Sequence, residues 1–191
     1  MAGLESEISA ISKSLTLKQK RFDLVMEKSR ELVRLSGVII TKLHNDDISG
    51  AEKGLVQAKK LSKELSDYPE FDYNTRQSQQ EYSEARIFHA IRTSGRIPSR
   101  TAVGVDGEAY LMGMMDVFGE LKREIIGELS KGNVKSARSY HRIMVEMFDS
   151  TRSVRFAEAV LQGFRRKQDV ARIQMESSAS ELLSFSKKAE K

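Results

Sequence analysis

The chain begins with a long stripe of apolar residues that repeat at alternating steps of three and four. The members of this stripe are Ile8, Ile11, Leu15, Phe22, Val25, Leu32, Ile39 and Leu43. Such heptad-like spacing predicts one helix over residues 4–44. Met26, Val33 and Ile40 widen the stripe, which is typical of a helix that packs in a bundle rather than in a two-stranded coiled coil.

Five further helices are predicted between turn signals in the rest of the chain. Their ranges are 51–65, 73–92, 108–130, 134–149 and 154–187, and residues 99–107 form a connector with room for one extra helical turn. No segment has the two-residue period of a strand. Because the connections are short, neighbouring helices should be antiparallel. We therefore expect an all-α antiparallel bundle of about six or seven helices, in a single domain spanning residues 1–191.

The first and last predicted helices are longer than the helices between them. Their apolar stripes cannot be covered along the whole length by the shorter helices, so other subunits are expected to cover the remainder. Oligomerisation is therefore part of the sequence prediction.

Composition narrows the class of protein without deciding its function. Of the 191 residues, 39% are hydrophobic and 31% are charged, which is typical of a folded domain. The net charge of +5 is compatible with a nucleic-acid partner. The absence of cysteine excludes disulfides and cysteine-ligated zinc. The chain shows no signal-like start and no apolar run of about 20 residues, so we expect a cytoplasmic protein with no membrane contact.

Two pairs of carboxylates have helical spacing. Glu81 and Glu84 are three residues apart on the third predicted helix, and Asp116 and Glu120 are four apart on the fourth. Antiparallel packing of these helices could bring all four together, and Gly113 on the same face would allow a backbone or a ligand to approach closely. Hard oxygen ligands suit Mg²⁺ or Mn²⁺, which would support phosphodiester hydrolysis. The bland alternative is that such pairs are solvated surface residues, which are common in a highly charged chain.

The segments that carry these carboxylates resemble a known family. Glu81-Tyr82-Ser83-Glu84-Ala85 resembles the Glu-Tyr-x-Glu-Ala stretch of Trax, and residues 110–121 resemble its Tyr-Leu-x-Gly-x-x-Asp-Leu-x-Gly-Glu-Leu segment. Residues 29–32, followed by Leu43-His44, are similar to the first helix of the family. The resemblance covers residues 21–185. Two departures are Phe118, where a small or polar residue is more usual, and a short region 96–107.

The resemblance to the translin/Trax family implies a fold and a function. Members are all-α proteins that assemble into octameric shells and bind RNA or DNA, and Trax-type subunits supply a Mg²⁺-dependent endoribonuclease site. The carboxylates of that site match Glu81, Glu84, Asp116 and Glu120, so these residues are expected to be both metal ligands and catalytic residues. The expected protein is a Trax-like subunit of the short prokaryotic or archaeal form, with Mg²⁺ or Mn²⁺ as its cofactor.

The expected partners follow from the same resemblance. The expected substrate is mainly single-stranded RNA, with single-stranded DNA as a further ligand. Since no second type of subunit is implied, a homo-oligomer is expected, with an octamer as its size. The alternatives are a translin-like oligomer that binds single-stranded RNA or DNA without cleaving it, and a structural bundle that binds a protein.

Basic residues near the carboxylates are candidate phosphate contacts. These candidates are Arg123, Lys122, Arg86, Arg92 and Arg34. Arg123 is the first choice because it lies three residues past Glu120. Each candidate is equally compatible with a solvated or salt-bridged position, and the basic run at residues 165–167 is interpreted as a solvated helix face. His89 shares the face of Glu81 and could line the site, although a packed histidine is the commoner arrangement.

Overall fold

The computed structural model describes residues 2–189, with side chains described within residues 3–185. It has seven α-helices and one turn of 3₁₀ helix, and the described residues include no strand. The helices are α1 (Ala2–His44), α2 (Ile48–Ser66), α3 (Asp72–Ser94), α4 (Arg100–Val103), α5 (Gly107–Ser130), α6 (Val134–Thr151) and α7 (Phe164–Ala189), and the 3₁₀ turn is Pro69–Phe71. The all-α prediction is confirmed.

Local capping explains where several helices begin and end. The side chain of Asp47 accepts a hydrogen bond from the Gly50 backbone at the start of α2. Asp106 does the same for the backbone of Ala109 at the start of α5, at 2.8 Å. Each such cap contributes about 1 kcal/mol. The third helix ends at Gly95, whose φ of 65° lies in the left-handed region that glycine adopts without strain.

The predicted start of the last helix is wrong. The helix begins at Phe164, and residues 154–163 form turns instead. Gly163 has a φ of 77°, which interrupts any helix that would continue through it. Leu161 and Phe164 are nevertheless buried in the core. Leu161 is therefore buried although the backbone around it is not helical, whereas Phe156 and Val160 of the same segment are exposed.

The helices form two units of three, α1–α2–α3 and α5–α6–α7, which meet where α3 packs against α5. Within each unit, the middle helix runs antiparallel to its neighbours, as the short connections predict. In the first unit, Glu31 of α1 contacts Gln57 of α2, and Lys28 contacts Glu64 further along. Most of the contacts between the two units are consequently those that bring α3 and α5 side by side.

The α3–α5 pair departs from the antiparallel packing assumed in the sequence analysis. Arg76 pairs with Glu108 near the beginnings of the two helices, and Arg92 pairs with Glu124 towards their ends. The two helices therefore run parallel. Parallel packing is possible because the connector 95–106 returns along the side of α3.

Two contacts hold this connector against α3. The hydroxyl of Tyr82 donates to the carbonyl of Val103 at 3.4 Å, and Arg86 donates to the carbonyl of Ala102 at 3.3 Å. The connector thus delivers the chain back to the level at which α3 began. Phe118, which departs from the family pattern, is fully buried in the core on α5.

The backbones of α3 and α5 come closest at Gly113. A Cβ atom at this position would lie 2.7 Å from the carbonyl oxygen of Gln80 and 2.8 Å from the backbone nitrogen of Glu84. Backbone atoms inside a packed helix cannot move aside, so only glycine fits here. The predicted close approach at Gly113 is confirmed, and the approaching group is the α3 backbone.

Several apolar residues at the start of α1 are exposed in the single chain. These residues are Leu4, Ile8, Ile11 and Leu15. Ile8, Ile11 and Leu15 belong to the apolar stripe from which the sequence analysis predicted α1, and the other described helices do not cover them. None of the described helices combines the length and the apolar character that crossing a bilayer requires.

We predict that Gly113→Ala destabilises the protein by about 1–3 kcal/mol, because the added methyl group forces α3 and α5 apart. Gly127→Ala is the matched control on the same helix, since nothing lies within 4 Å of a Cβ there. The control should gain about 0.5–1 kcal/mol from helix propensity. Urea unfolding monitored by circular dichroism measures both effects. Equal stability of the two variants would contradict the close packing at Gly113.

Candidate active site

The four predicted carboxylates converge on the seam between α3 and α5. Glu84 is the most enclosed, with 8% of the residue exposed, and Glu81 is half-buried beside it. The side chains of Asp116 and Glu120 face them from α5 and are about a quarter exposed, at 26% and 24%. Parallel packing therefore brings together the set that the sequence analysis singled out.

The pKa values of Glu84 and Glu81 reflect burial and the proximity of the other carboxylates. Burial, followed by the charges of Asp116, Glu81 and Glu120, raises the pKa of Glu84 to about 9. Burial and the charge of Asp116 also raise the pKa of Glu81. Glu84 has no hydrogen bond or ion pair with any other described residue, so a buried carboxyl group is left without a partner. Such a group is costly unless it holds a proton or faces a cation.

A lysine and an amide hold Asp116. The ammonium group of Lys167, on α7, forms an ion pair with Oδ1 of Asp116. The amide of Gln80 donates to Oδ2 of Asp116 at 2.6 Å. The positive charge of Lys167 also lowers the pKa of Glu84 and of Glu81, opposing the larger effects that raise them. Lys167 therefore supplies part of the positive charge that a cluster of carboxylates needs.

His44, the last residue of α1, bridges two carboxylates of α5. Its Nε2 atom contacts Glu120, and its Nδ1 atom lies 2.6 Å from Oε1 of Glu124. Burial lowers the pKa of His44, but hydrogen bonds to Glu120 and Glu124 outweigh burial, and the net pKa is raised. Because both partners are carboxylates, protonation of both ring nitrogens satisfies the two contacts together. His44 thereby fixes the orientation of Glu120.

The contacts that start at Glu120 and His44 continue through Glu124 to Arg92, whose side chain is largely buried. Arg92 donates to Oε2 of Glu124 at 2.5 Å and to the hydroxyl of Tyr140 at 3.0 Å. It also donates to the carbonyl of Leu43 at 3.1 Å and pairs with Asp46. These contacts join α1, α3, α5 and α6 around one guanidinium group. Glu124 is consequently buried between two cations, His44 and Arg92.

The arrangement can be tested against the divalent cation that the family resemblance implies. The described residues contain no group of three or more His, Asp or Glu side chains that is already arranged around a common metal position. The donor set is nevertheless suitable, since three carboxylates with hard oxygen atoms lie around a buried fourth, Glu84, which has no hydrogen-bond partner among the described residues. A bound cation would lower the pKa of Glu84 and compete with Lys167 for Asp116. The residues therefore fit the ion chemically.

The predicted phosphate contacts have different surroundings. Arg123 and Arg34 are exposed and form no ion pair within the described part of the chain. Lys122 donates to the hydroxyl of Ser177 at 3.0 Å, and Arg86 holds the 95–106 connector. The prediction that Arg92 binds phosphate is corrected, because its guanidinium group already contacts Glu124, Tyr140 and the backbone of Leu43 inside the protein. In the single chain these contacts join helices and leave the guanidinium group little exposed, with 10% of the side chain accessible.

The suggestion that His89 could line the site also changes. His89 is partly buried against α2, where its Nε2 atom lies 3.8 Å from Glu52, so it does not join the carboxylates. His44 occupies the position next to the site instead.

Sequence reasoning also missed Glu124 and Lys167. Glu124 continues the four-residue step from Asp116 through Glu120, so that spacing could have identified it. No comparable signal marked Lys167 within its basic run.

Comparisons with known proteins agree with this fold. No family model matches the chain. An uncharacterized protein of Methanocaldococcus jannaschii is 27% identical over 185 residues, covering 94% of this chain and 82% of that protein.

Three solved structures are similar to the chain over most of its length. AfC3PO in complex with duplex RNA and AfC3PO alone each have a TM-score of 0.87 and 25% identity over 94% of this chain, covering 96% and 97% of theirs. Apo-NeC3PO has a TM-score of 0.85 and 24% identity over 93% of this chain and 96% of its own.

We predict that Glu84→Gln stabilises the metal-free protein at pH 8. The pKa of Glu84 is about 9 in the folded chain and lower in the unfolded chain. Between these values the folded state holds a proton that the unfolded state releases, so stability falls as the pH rises through this window. A neutral amide removes that loss, and the melting temperature in EDTA should depend less on pH between 5.5 and 8.

Glu146→Gln is the control for this measurement, because it makes the same substitution at an exposed position on α6. A Glu84 variant with the pH dependence of the control would contradict a raised pKa.

We predict that Arg92→Met costs about 3 kcal/mol, because it leaves Glu124 buried with one of its two cations missing. Arg96→Met, one turn beyond on an exposed position, should change stability by less than about 0.5 kcal/mol. Chemical denaturation measures the free energy of unfolding of both variants. Equal stability would show that the Arg92 network contributes nothing.

Proposed function

We propose that this chain, a protein of the translin/Trax family, binds RNA and hydrolyses its phosphodiester backbone with the help of a divalent cation. The observation that carries the proposal is the convergence of Glu81, Asp116 and Glu120 around Glu84, a buried carboxyl group without a hydrogen-bond partner among the described residues. A purely structural seam would not gather four acids, because their repulsion opposes folding. Similarity to AfC3PO, which has been solved with duplex RNA, supports RNA as the ligand.

Glu81, Glu84, Asp116 and Glu120 would hold Mg²⁺ or Mn²⁺. When bound, such an ion activates water and neutralises charge on the phosphoryl group. The protein contributes the positions of the ligands. Glu84 would hold the ion in its carboxylate form, because a nearby cation favours loss of the carboxyl proton.

Three neighbouring side chains orient the carboxylates. His44 holds Glu120 through a contact that is anchored on its other side by Glu124. Gln80 and Lys167 hold the two oxygen atoms of Asp116. Orientation by such neighbours restricts the ligands to few arrangements, and removing one of these neighbours usually weakens metal binding or activity about 10–100-fold.

Phosphate contacts next to the site come from cations that the fold leaves free. Arg123 is the strongest candidate, since it is exposed and lies seven residues beyond Asp116, on the same face of α5. Lys122 is close by but shares its charge with Glu181 at 3.9 Å. Arg34 is exposed on α1, ten residues or about 15 Å before His44.

Self-association completes the proposal. The exposed apolar stripe of α1 lacks a partner within the single chain and would be covered by other copies. A homo-oligomer follows, with the octamer of the family as the expected size. Enclosure by such a shell would favour RNA that fits inside it, single strands above all.

A translin-like oligomer that binds RNA without cleaving it is the second candidate. The ion pair between Lys167 and Asp116 favours this candidate, because the ammonium group occupies one of the oxygen atoms that a metal would need. The two functions differ in whether added metal displaces Lys167.

Cleavage of a labelled single-stranded RNA in Mg²⁺, Mn²⁺ or EDTA distinguishes the two functions. We expect metal-dependent cleavage by the wild type and a loss of at least about 100-fold in Glu84→Gln and Asp116→Asn. Glu146→Gln should cleave like the wild type. RNA binding should persist in all variants, since none removes a cation.

The same proteins can be followed by thermal melting with and without metal. Mg²⁺ should raise the melting temperature of the wild type and not that of Glu84→Gln. RNA binding without metal-dependent cleavage, or equal cleavage by all variants, would refute the nuclease and leave the binding oligomer.

A further inference from the structure

A cavity lined by arginines lies between the end of α6 and the first half of α7. Its volume is about 410 Å³. The charged residues that line it are Arg152, Arg155, Arg165, Arg172 and Asp169. Four guanidinium groups and one carboxylate leave an excess of three positive charges around a space large enough for a nucleotide.

One of these arginines is held in place by neutral groups alone. Arg155 donates to Oε1 of Gln168 at 2.9 Å and to the carbonyl of Val154 at 3.3 Å. Gln168 is only 7% exposed, and its amide donates to the carbonyl of Thr151 at 2.8 Å. A buried side chain therefore positions the guanidinium group of Arg155 without neutralising its charge.

The positive charges of the other three arginines are only weakly neutralised by carboxylates. Arg165 forms no ion pair with a described residue. Arg152 pairs with Asp149 at 3.4 Å, and Arg172 pairs with Asp169 at 3.7 Å. Both pairs are exposed and three residues apart on the chain, an arrangement that contributes little to stability. The repulsion among the four cations would be relieved by an anion in the cavity.

We propose that this cavity binds phosphate groups of RNA at a second site, separate from the carboxylates. The inference rests on the proposed RNA binding and extends it to a new surface. Planar guanidinium groups match the oxygen atoms of a phosphate in pairs. The partly buried ring of Phe148 also lines the cavity and offers an apolar surface to a base or a ribose. This combination favours a nucleic-acid backbone over a free inorganic ion.

The position on α7 separates this cavity from the carboxylate site. Lys167 points to Asp116, whereas Arg165, Asp169 and Arg172 lie roughly on the opposite face of the helix. The basic run 165–167 is thus divided between the two sites. A phosphate in the cavity lies away from the carboxylates, so this site adds affinity and takes no part in cleavage.

The test compares two double variants. The cavity variant carries Arg155→Gln and Arg165→Gln. The control variant carries Arg96→Gln and Arg142→Gln, which remove the same charge from exposed positions outside the cavity. Binding of a labelled single-stranded RNA of about 20 nucleotides, longer than the about 4–16 nucleotides that one single-strand binding module covers, is measured in EDTA over a range of salt. We expect the cavity variant to raise Kd about tenfold and to lower the salt slope by about 1.4, or about 0.7 per lost phosphate contact. Cleavage at saturating RNA should be unchanged.

Inorganic pyrophosphate is the second probe, measured by calorimetry on the same proteins. RNA affinity and salt slope equal to those of the control would overturn the inference, and so would pyrophosphate binding that is the same in the cavity variant and in the wild type. Normal cleavage by the wild type in that case would leave the proposed function standing. A wild type that binds RNA through the cavity but never cleaves it would refute the nuclease and support the second site.

Discussion

The close approach of α3 and α5 at Gly113 is the constraint on which the rest of the structure depends. Without a side chain at this position, the backbone of α5 lies against that of α3, and the residues that follow it face Glu81 and Glu84. The parallel direction of the two helices sets the register of their carboxylates. A fold built for stability alone would place a larger apolar residue here and separate the acids. Packing at one glycine therefore determines the chemistry available along the seam.

The cost of gathering four acids is offset by cations from the two outer parts of the fold. Lys167 reaches Asp116 from α7, and His44 reaches Glu120 from the end of α1. Behind His44, Glu124 and Arg92 form a buried network that draws four helices together. Electrostatic balance and helix packing are thus achieved by the same side chains. The acids closest to the centre, Glu84 above all, are the ones left without a partner of their own.

Much of this arrangement was predictable from the sequence, and the exceptions have physical reasons. Helical periodicity identified the helices, and the resemblance to the translin/Trax family agreed with the all-α fold and with AfC3PO and NeC3PO. The direction of α5 relative to α3 was not predictable, because it depends on long-range hydrogen bonds of the 95–106 connector. The late start of α7 depends on the backbone of Gly163. The burial of Arg92 and the reach of Lys167 depend on which charges meet in three dimensions, and a one-dimensional charge pattern cannot show that.

The ion pair between Lys167 and Asp116 has a consequence for the binding of the divalent cation proposed for this site. A site whose charge is partly neutralised by its own lysine does not need the ion in order to fold, in contrast to small zinc domains that are unfolded without metal. Synthesis and assembly would then be independent of the supply of the ion. Occupancy would follow the free concentration of the ion, and it could change repeatedly during the lifetime of one molecule while the helices around it stay in place.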